Sequence, residues 1–259
     1  MMKANKNLFL VVFLIVCCAF KWPKENITVY SIGDSTMSKA NTADNYPGRG
    51  WMQMIDPFFD ESVKVVNQGA SGRSSKSYRD EGHWNKVITR VKAGDYVFIQ
   101  FGHNDAKEDS LRHTDPQTTF KENIQNYVNE ARAKNANPIL FTSIVRRKFD
   151  KKGKLVDTHG EYVTVVRKLA AEMDVPLIDL NKMTAEVVEN LGPEESKKLY
   201  IYVEPGVTAK LPNGKKDDTH LCEAGAIKVA ELAIKGLRDI KSPLVEYLKN
   251  DGEKVSPIK

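Results

Sequence analysis

The sequence predicts an α/β fold, a three-layer α/β/α sandwich around a five-stranded parallel sheet. Three observations predict it. Short runs rich in β-branched and aromatic residues recur at 27–32, 63–67, 96–101, 138–143 and 175–180, a length and composition that suit buried strands. Apolar residues at helical spacing lie between them. Strands alternating with helices require right-handed crossovers, which cover both faces of a parallel sheet.

Each element follows in order. The first three runs are strands, the third (96–101) almost wholly apolar. Phe120, Ile124, Tyr127, Val128 and Ala131 share one helical face, and the fourth strand follows at 138–143. Segment 145–157 is rich in Arg and Lys around Gly153 and reads as a hairpin. Tyr162, Val165, Val166, Leu169 and Met173 mark a second helix before the fifth strand. Residues 200–219 read as a long Pro/Gly loop, and 223–240 as a helix with a broad apolar face. No internal repeat or low-complexity linker divides the chain, so 27–250 read as a single domain, with a frayed tail beyond.

Composition bounds the function. A chain of 259 residues with 41% hydrophobic and 28% charged side chains is a soluble globular protein, not a disordered, collagenous or multi-span membrane chain. The formal charge is +5. Lys3 and Lys6 precede an apolar run at 8–20, too short to span a bilayer but suited to an export signal over 1–20. Without those two lysines, 37 basic residues face 34 acidic ones, a net charge of +3. That is too weak for a nucleic-acid partner, yet compatible with an acidic substrate. Leu14-Ile15-Val16-Cys17-Cys18 resembles a bacterial lipobox, with Cys17 or Cys18 as the lipidated residue. An exported protein is expected, periplasmic or at the cell surface, with a lipid anchor or freely secreted. Only Cys222 remains in the body, so neither an internal disulfide nor a structural cysteine–zinc site can form.

Ligands of open parallel sheets bind beyond the carboxyl ends of the strands. Gly33-Asp34-Ser35-Thr36 follows the first strand, a segment through Gly72 to Ser75 the second, and Gly102-His103-Asn104-Asp105 the third. Arg146 and Arg147 follow the fourth, and Asp217-Asp218-Thr219-His220 precedes the last helix. Ser35 can be a nucleophile, although a serine at that place equally caps a helix. His220 can be its base with Asp217 orienting the ring, although alone it reads equally well as a structural histidine. The N–H groups of Ser35 and Gly72 and the amide of Asn104 can cradle an oxyanion.

These blocks, in this order, resemble the SGNH (GDSL-type) hydrolases. Val65-Val66-Asn67, Gly72-Arg73-Ser74-Ser75, Phe101-Gly102-His103-Asn104-Asp105 and the Asp217 to Leu221 string are similar to the rhamnogalacturonan acetylesterase branch. The resemblance runs from about Ile27 to Gly236. It implies a flavodoxin-like sheet, Ser35 as nucleophile, His220 as base then acid, Asp217 as orienter, and Ser35, Gly72 and Asn104 as oxyanion hole. It further implies a serine esterase that removes O-acetyl groups from acetylated rhamnogalacturonan through an acyl-enzyme, without cofactor or metal; a monomer is expected, with the oligomeric state left open by the sequence. The alternatives are an acetylesterase for another glycan such as xylan, and a non-catalytic glycan-binding module.

The remaining polar residues carry plainer expectations. Asp34 and Asp105 bond loop backbone, His103 packs within its loop, and Cys222 is a small buried residue. His83, His113 and His159 lie at the surface, and Asp218 competes with Asp217 for the orienting role. Arg73, Lys76, Arg79, Arg146 and Arg147 are surface charges, or some of them, Arg73, Arg146 and Arg147 above all, pair with substrate carboxylates.

Overall fold

Period-two alternation in the apolar runs buries them on both faces, and that sets the layers. The protein, represented by a computed structural model, is described over residues 24–249; the expected export signal at 1–20 and the tail lie outside the described residues. Strands β1 (Ile27–Gly33), β2 (Val63–Asn67), β3 (Tyr96–Gln100), β4 (Asn137–Phe141) and β5 (Leu177–Ile178) form one sheet in the order β2-β1-β3-β4-β5. Every pairing is parallel. The order reverses between β1 and β3, which opens a crevice at their carboxyl ends.

Val29, Phe98, Ile139 and Phe141 enter one core, while Tyr30, Ile32, Val97, Ile99 and Leu140 enter the other. Helices α1 (Ser75–Asp80), α2 (His83–Ile88), α3 (Lys121–Ala133) and α4 (Glu161–Glu172) close the second core. In α3 the buried face is Ile124, Tyr127, Val128 and Ala131; in α4 it includes Tyr162, Val165, Val166 and Leu169. Helices α5 (Leu180–Glu195) and α6 (Glu223–Asp239) cover the first core.

Three departures from the sequence reading have local causes. Helix α5 was not anticipated, although Asp179 caps it by accepting from Lys182 N, and Leu180, Thr184 and Val188 recur at i+4. The expected loop at 200–219 is instead an antiparallel pair, β6 (Tyr200–Val203) with β7 (Lys215–Leu221). Burial of Tyr200, Ile201 and Leu221 anchors both strands, so only 204–214 stays irregular. Strand β5 is also shorter than expected. The hairpin at 145–157 does form, with Phe149 bridged to Leu155 and Asp150 N bonded to Lys154 O.

Candidate active site

A buried relay shapes the turn after β1. Trp51 Nε1 donates to Gln100 Oε1 (2.9 Å), Gln100 Nε2 to Thr36 Oγ1 (2.7 Å), and Thr36 Oγ1 to Asp34 Oδ1 (2.8 Å). All four residues are buried. Asp34 also accepts from Thr36 N, and its carbonyl takes the amides of Met37 and Ser38, closing the turn. Burial pushes the Asp34 carboxyl up to about 6 against the opposing bonds from Thr36. With its neighbours so held, Ser35 presents its hydroxyl to His220, Oγ to Nε2 at 2.9 Å.

The second half of the contact comes from β7. Tyr200 faces Leu221 and Ile201 faces Asp217, so residues 218–220 bulge out of the ladder. Within the bulge Asp217 Oδ1 accepts from the amides of Thr219 and His220 (2.9 Å each). Its Oδ2 lies 2.8 Å from His220 Nδ1 and 2.8 Å from Lys215 Nζ. Burial alone would raise the Asp217 carboxyl, but the bonds from His220, Lys215 and the two amides hold it well below the usual carboxylate range. Asp218 points elsewhere: it binds Arg147 Nε (2.7 Å) and the Tyr202 hydroxyl (2.6 Å).

The candidate oxyanion donors meet between β2 and β3. Asp105 is buried and binds Ser75 N (3.0 Å), the hydroxyls of Ser75 and Thr114, and Gly102 N (3.1 Å). This ties the loop after β3 to the start of α1, itself capped by Ser74 and Ser77. Asn104 Nδ2 then donates to Arg73 O (3.1 Å), drawing its amide to the residue beside Gly72. Gly72 has φ +79°, a left-handed conformation that a side chain would strain. Among the described residues, no group accepts from the amide N–H of Ser35 or Gly72.

The arginines are placed otherwise than expected. Arg147 is 9% exposed and spends its donors on Asp218, Pro193 O (2.6 Å) and the Tyr202 hydroxyl (2.6 Å). Arg146 binds Thr158 O (3.0 Å) and His103 O (2.9 Å), bracing the loop that carries Asn104. Arg73 lies nearer solvent but pairs with Glu81 and bonds Ser71 O. Lys76 bonds Ser110 O, and Arg79 pairs with Glu130 over the Tyr127 ring.

His159, expected at the surface, is 4% exposed and sits 3.1 Å from His103, Nε2 to Nδ1. Asp157 turns the chain inward by accepting from the amides of His159 and Gly160. Burial, and then the Arg146 charge, lowers His159 to about 3; burial first and His159 second lower His103. Cys222 is half-buried at the N-cap of α6, its thiol donating to Lys198 O, rather than packed in the core. His83 is half-buried beside Tyr78 and Glu81, and His113 is exposed.

A cavity of about 450 Å³ opens beside Ser35 and His220, walled by Lys39, Tyr46, Arg49, Lys210 and Lys215. The sequence reading missed all five. Only Lys215, two residues from Asp217 on one strand, left a signal, because alternate residues share a strand face. Among the described residues, no group of three or more His, Cys, Asp or Glu side chains could hold a metal ion.

Residues 31–200 match the GDSL-like lipase/acylhydrolase family. Rhamnogalacturonan acetylesterase RhgT of Bacillus subtilis (strain 168) is 39% identical over 225 residues, which span 87% of this chain and 95% of that protein. Probable rhamnogalacturonan acetylesterase YesY of the same organism is 32% identical over 221 residues, 85% of this chain and 96% of that one. The crystal structure of Bacillus subtilis protein YXIM superposes with a TM-score of 0.73 at 27% identity; the match covers 85% of this chain and 58% of that longer one. The chain belongs to the GDSL-like lipase/acylhydrolase family, in its rhamnogalacturonan acetylesterase branch.

Proposed function

We propose that this protein is a serine esterase that removes O-acetyl groups from an acetylated pectic polysaccharide, rhamnogalacturonan foremost. The observation that carries the reading is the Ser35–His220–Asp217 chain, with contacts of 2.9 and 2.8 Å, opening on a sugar-sized cavity. The names of RhgT and YesY support the choice of substrate.

The chemistry follows from the geometry. Ser35 Oγ attacks the acetyl carbonyl carbon while its proton passes to His220 Nε2. The oxyanion that forms is met by the N–H groups of Ser35 and Gly72 and the amide of Asn104, each contributing roughly 3 kcal/mol to the transition state. As the bond from carbonyl carbon to sugar oxygen breaks, His220 hands its proton to that oxygen and the glycan leaves. Water then attacks the acetyl-Ser35 carbonyl, gives its proton to His220, and acetate departs as Ser35 is reprotonated. Asp217 remains ionised throughout and steadies the imidazolium, a role suited to its depressed pKa. Export through Lys3, Lys6 and the apolar run at 8–20, with a lipid on Cys17 or Cys18, would bring the enzyme to its polymer.

The test is acetate release from acetylated rhamnogalacturonan and from acetylated xylan, together with p-nitrophenyl acetate. Wild type is expected to prefer the first polymer, and Ser35→Ala to lose activity on all three substrates. Full activity in Ser35→Ala overturns the mechanism; faster release from xylan overturns the substrate.

A further inference from the structure

Four cations and no carboxylate line the cavity beside Ser35 and His220. Two of the four are already neutralised. Arg49 donates to Tyr46 O (2.7 Å) and Gly48 O (2.9 Å), and its Nη2 lies 3.2 Å from Glu223. Lys215 is bound to Asp217. Lys39 and Lys210 are different: both are exposed, and neither has an ion-pair partner among the described residues. They reach the cavity from separate segments, Lys39 just after the Ser35 turn and Lys210 from the irregular 204–214 stretch between β6 and β7.

Two unpaired ammonium groups on one cleft, with no acid to cancel them, focus a positive potential where substrate must lie. An ammonium binds an anion as a point charge and tolerates variation in its position. The half-buried Tyr46 ring on the same wall supplies an apolar face against which a pyranose ring can rest. A deacetylase needs neither feature to bind an acetyl group, which is small and neutral. Both suit a carboxylated sugar neighbouring the acetylated one.

We infer that Lys39 and Lys210 form a carboxylate subsite that recognises a uronate residue of the glycan next to the ester being cleaved. This rests on the esterase reading of Ser35 given above. The subsite acts on binding, so its signature is in KM and in salt dependence.

The experiment compares wild type with the double variant Lys39→Gln/Lys210→Gln on three substrates. These are acetylated rhamnogalacturonan oligosaccharides, the same oligosaccharides after reduction of their carboxyls to alcohols, and p-nitrophenyl acetate. In wild type, carboxyl reduction is expected to raise KM about tenfold, and added potassium chloride to raise KM on the acidic substrate alone. In the double variant the acidic-to-reduced ratio of kcat/KM is expected to fall about tenfold, toward one, with hydrolysis of p-nitrophenyl acetate reporting an intact fold. Lys210→Glu is expected to carry the ratio below one. An unchanged ratio in the double variant, with wild type still favouring the acidic oligosaccharide, overturns the subsite and leaves the esterase reading standing. Wild type that hydrolyses p-nitrophenyl acetate but neither oligosaccharide overturns the pectic substrate and the subsite together.

Discussion

Two sets of basic residues lie on loops around the candidate active site, and they are used in opposite ways. On the loops after β2 and β4, Arg73, Arg146 and Arg147 are bound to carbonyls and carboxylates of the protein itself. On the cavity beside Ser35, Lys39 and Lys210 meet no acid among the described residues. Guanidinium offers five donors in a rigid plane and is weakly hydrated, so it can be buried as a brace between loops. Ammonium is strongly hydrated and stays at the water boundary, where an incoming anion can reach it. A basic residue near a site therefore means little until its partners are known.

The most severe break comes at the proposed catalytic set of Ser35, His220 and Asp217. Asp217→Asn is expected to lower kcat about 10³–10⁴-fold on acidic and neutral acetates alike, because the His220 ring loses its orienting anion. Acetate release on both substrates checks this, and a loss confined to the acidic one would contradict it.

Arg147→Met tests the brace. It leaves Pro193 O, the Tyr202 hydroxyl and the half-exposed Asp218 without their guanidinium, and a loss of about 1–2 kcal/mol in urea unfolding is expected. Lys39→Gln/Lys210→Gln, changing only exposed and unpaired charges, is expected to shift stability by no more than about 0.5 kcal/mol. Equal losses in the two variants would erase the distinction between the bracing arginines and the unpaired lysines.

Arg146→Ala sharpens it. Releasing His103 O and Thr158 O loosens the loop that carries Asn104, so kcat is expected to fall roughly ten- to thirtyfold (about 1–2 kcal/mol) by the same factor on acidic and neutral substrates. A loss weighted toward the acidic substrate would return Arg146 to direct recognition of carboxylates.

The gentlest probe is pH. His159 titrates near 3 in the folded chain against 6.5 unfolded, so the unfolded chain takes up the proton first. Its contribution is complete above about pH 6.5 and is lost as pH falls toward 3. Asp34 and Asp105, raised to about 6 by burial, act in the opposite sense: they stabilise most below the ordinary carboxylate value and lose that contribution as pH rises through 6. His159→Gln removes that group and relieves the His103 ring beside it of one of the causes that lower it. The stability gap between wild type and variant is expected to narrow by about 1.6 kcal/mol in all as pH drops from 6.5 to 5. A gap that stays constant with pH would show that His159 is not held neutral by its surroundings.

The legible parts of the molecule are those encoded over short stretches. β2 occupies the 63–67 expected of it, and the buried faces of α3 and α4 are largely those read from spacing, Met173 excepted as the half-buried C-cap of α4, because apolar period reports burial directly. Helix α5 was missed because its apolar stripe is narrow and it kinks at Gly192-Pro193. β6 and β7 were hidden by the Pro and Gly residues of the turn joining them. His159 looked like a surface histidine because its immediate neighbours Asp157, Thr158, Gly160 and Glu161 are polar or small; its burial comes from His103 and Arg146, drawn from other loops.

By itself, the sequence determined the alternation of strands and helices in the sandwich, the polar blocks at the strand ends and the turn that carries Ser35. Each is a matter of neighbours a few residues apart, whose periods and side-chain bonds are local. Only the tertiary structure decided that Ser35 meets His220 across 185 positions, that Asp217 and not Asp218 faces the imidazole, and which cations remain unpaired. Charge neutralisation is a contact property: Arg147 is silenced by residues 55 and 71 positions away, and no local pattern records that.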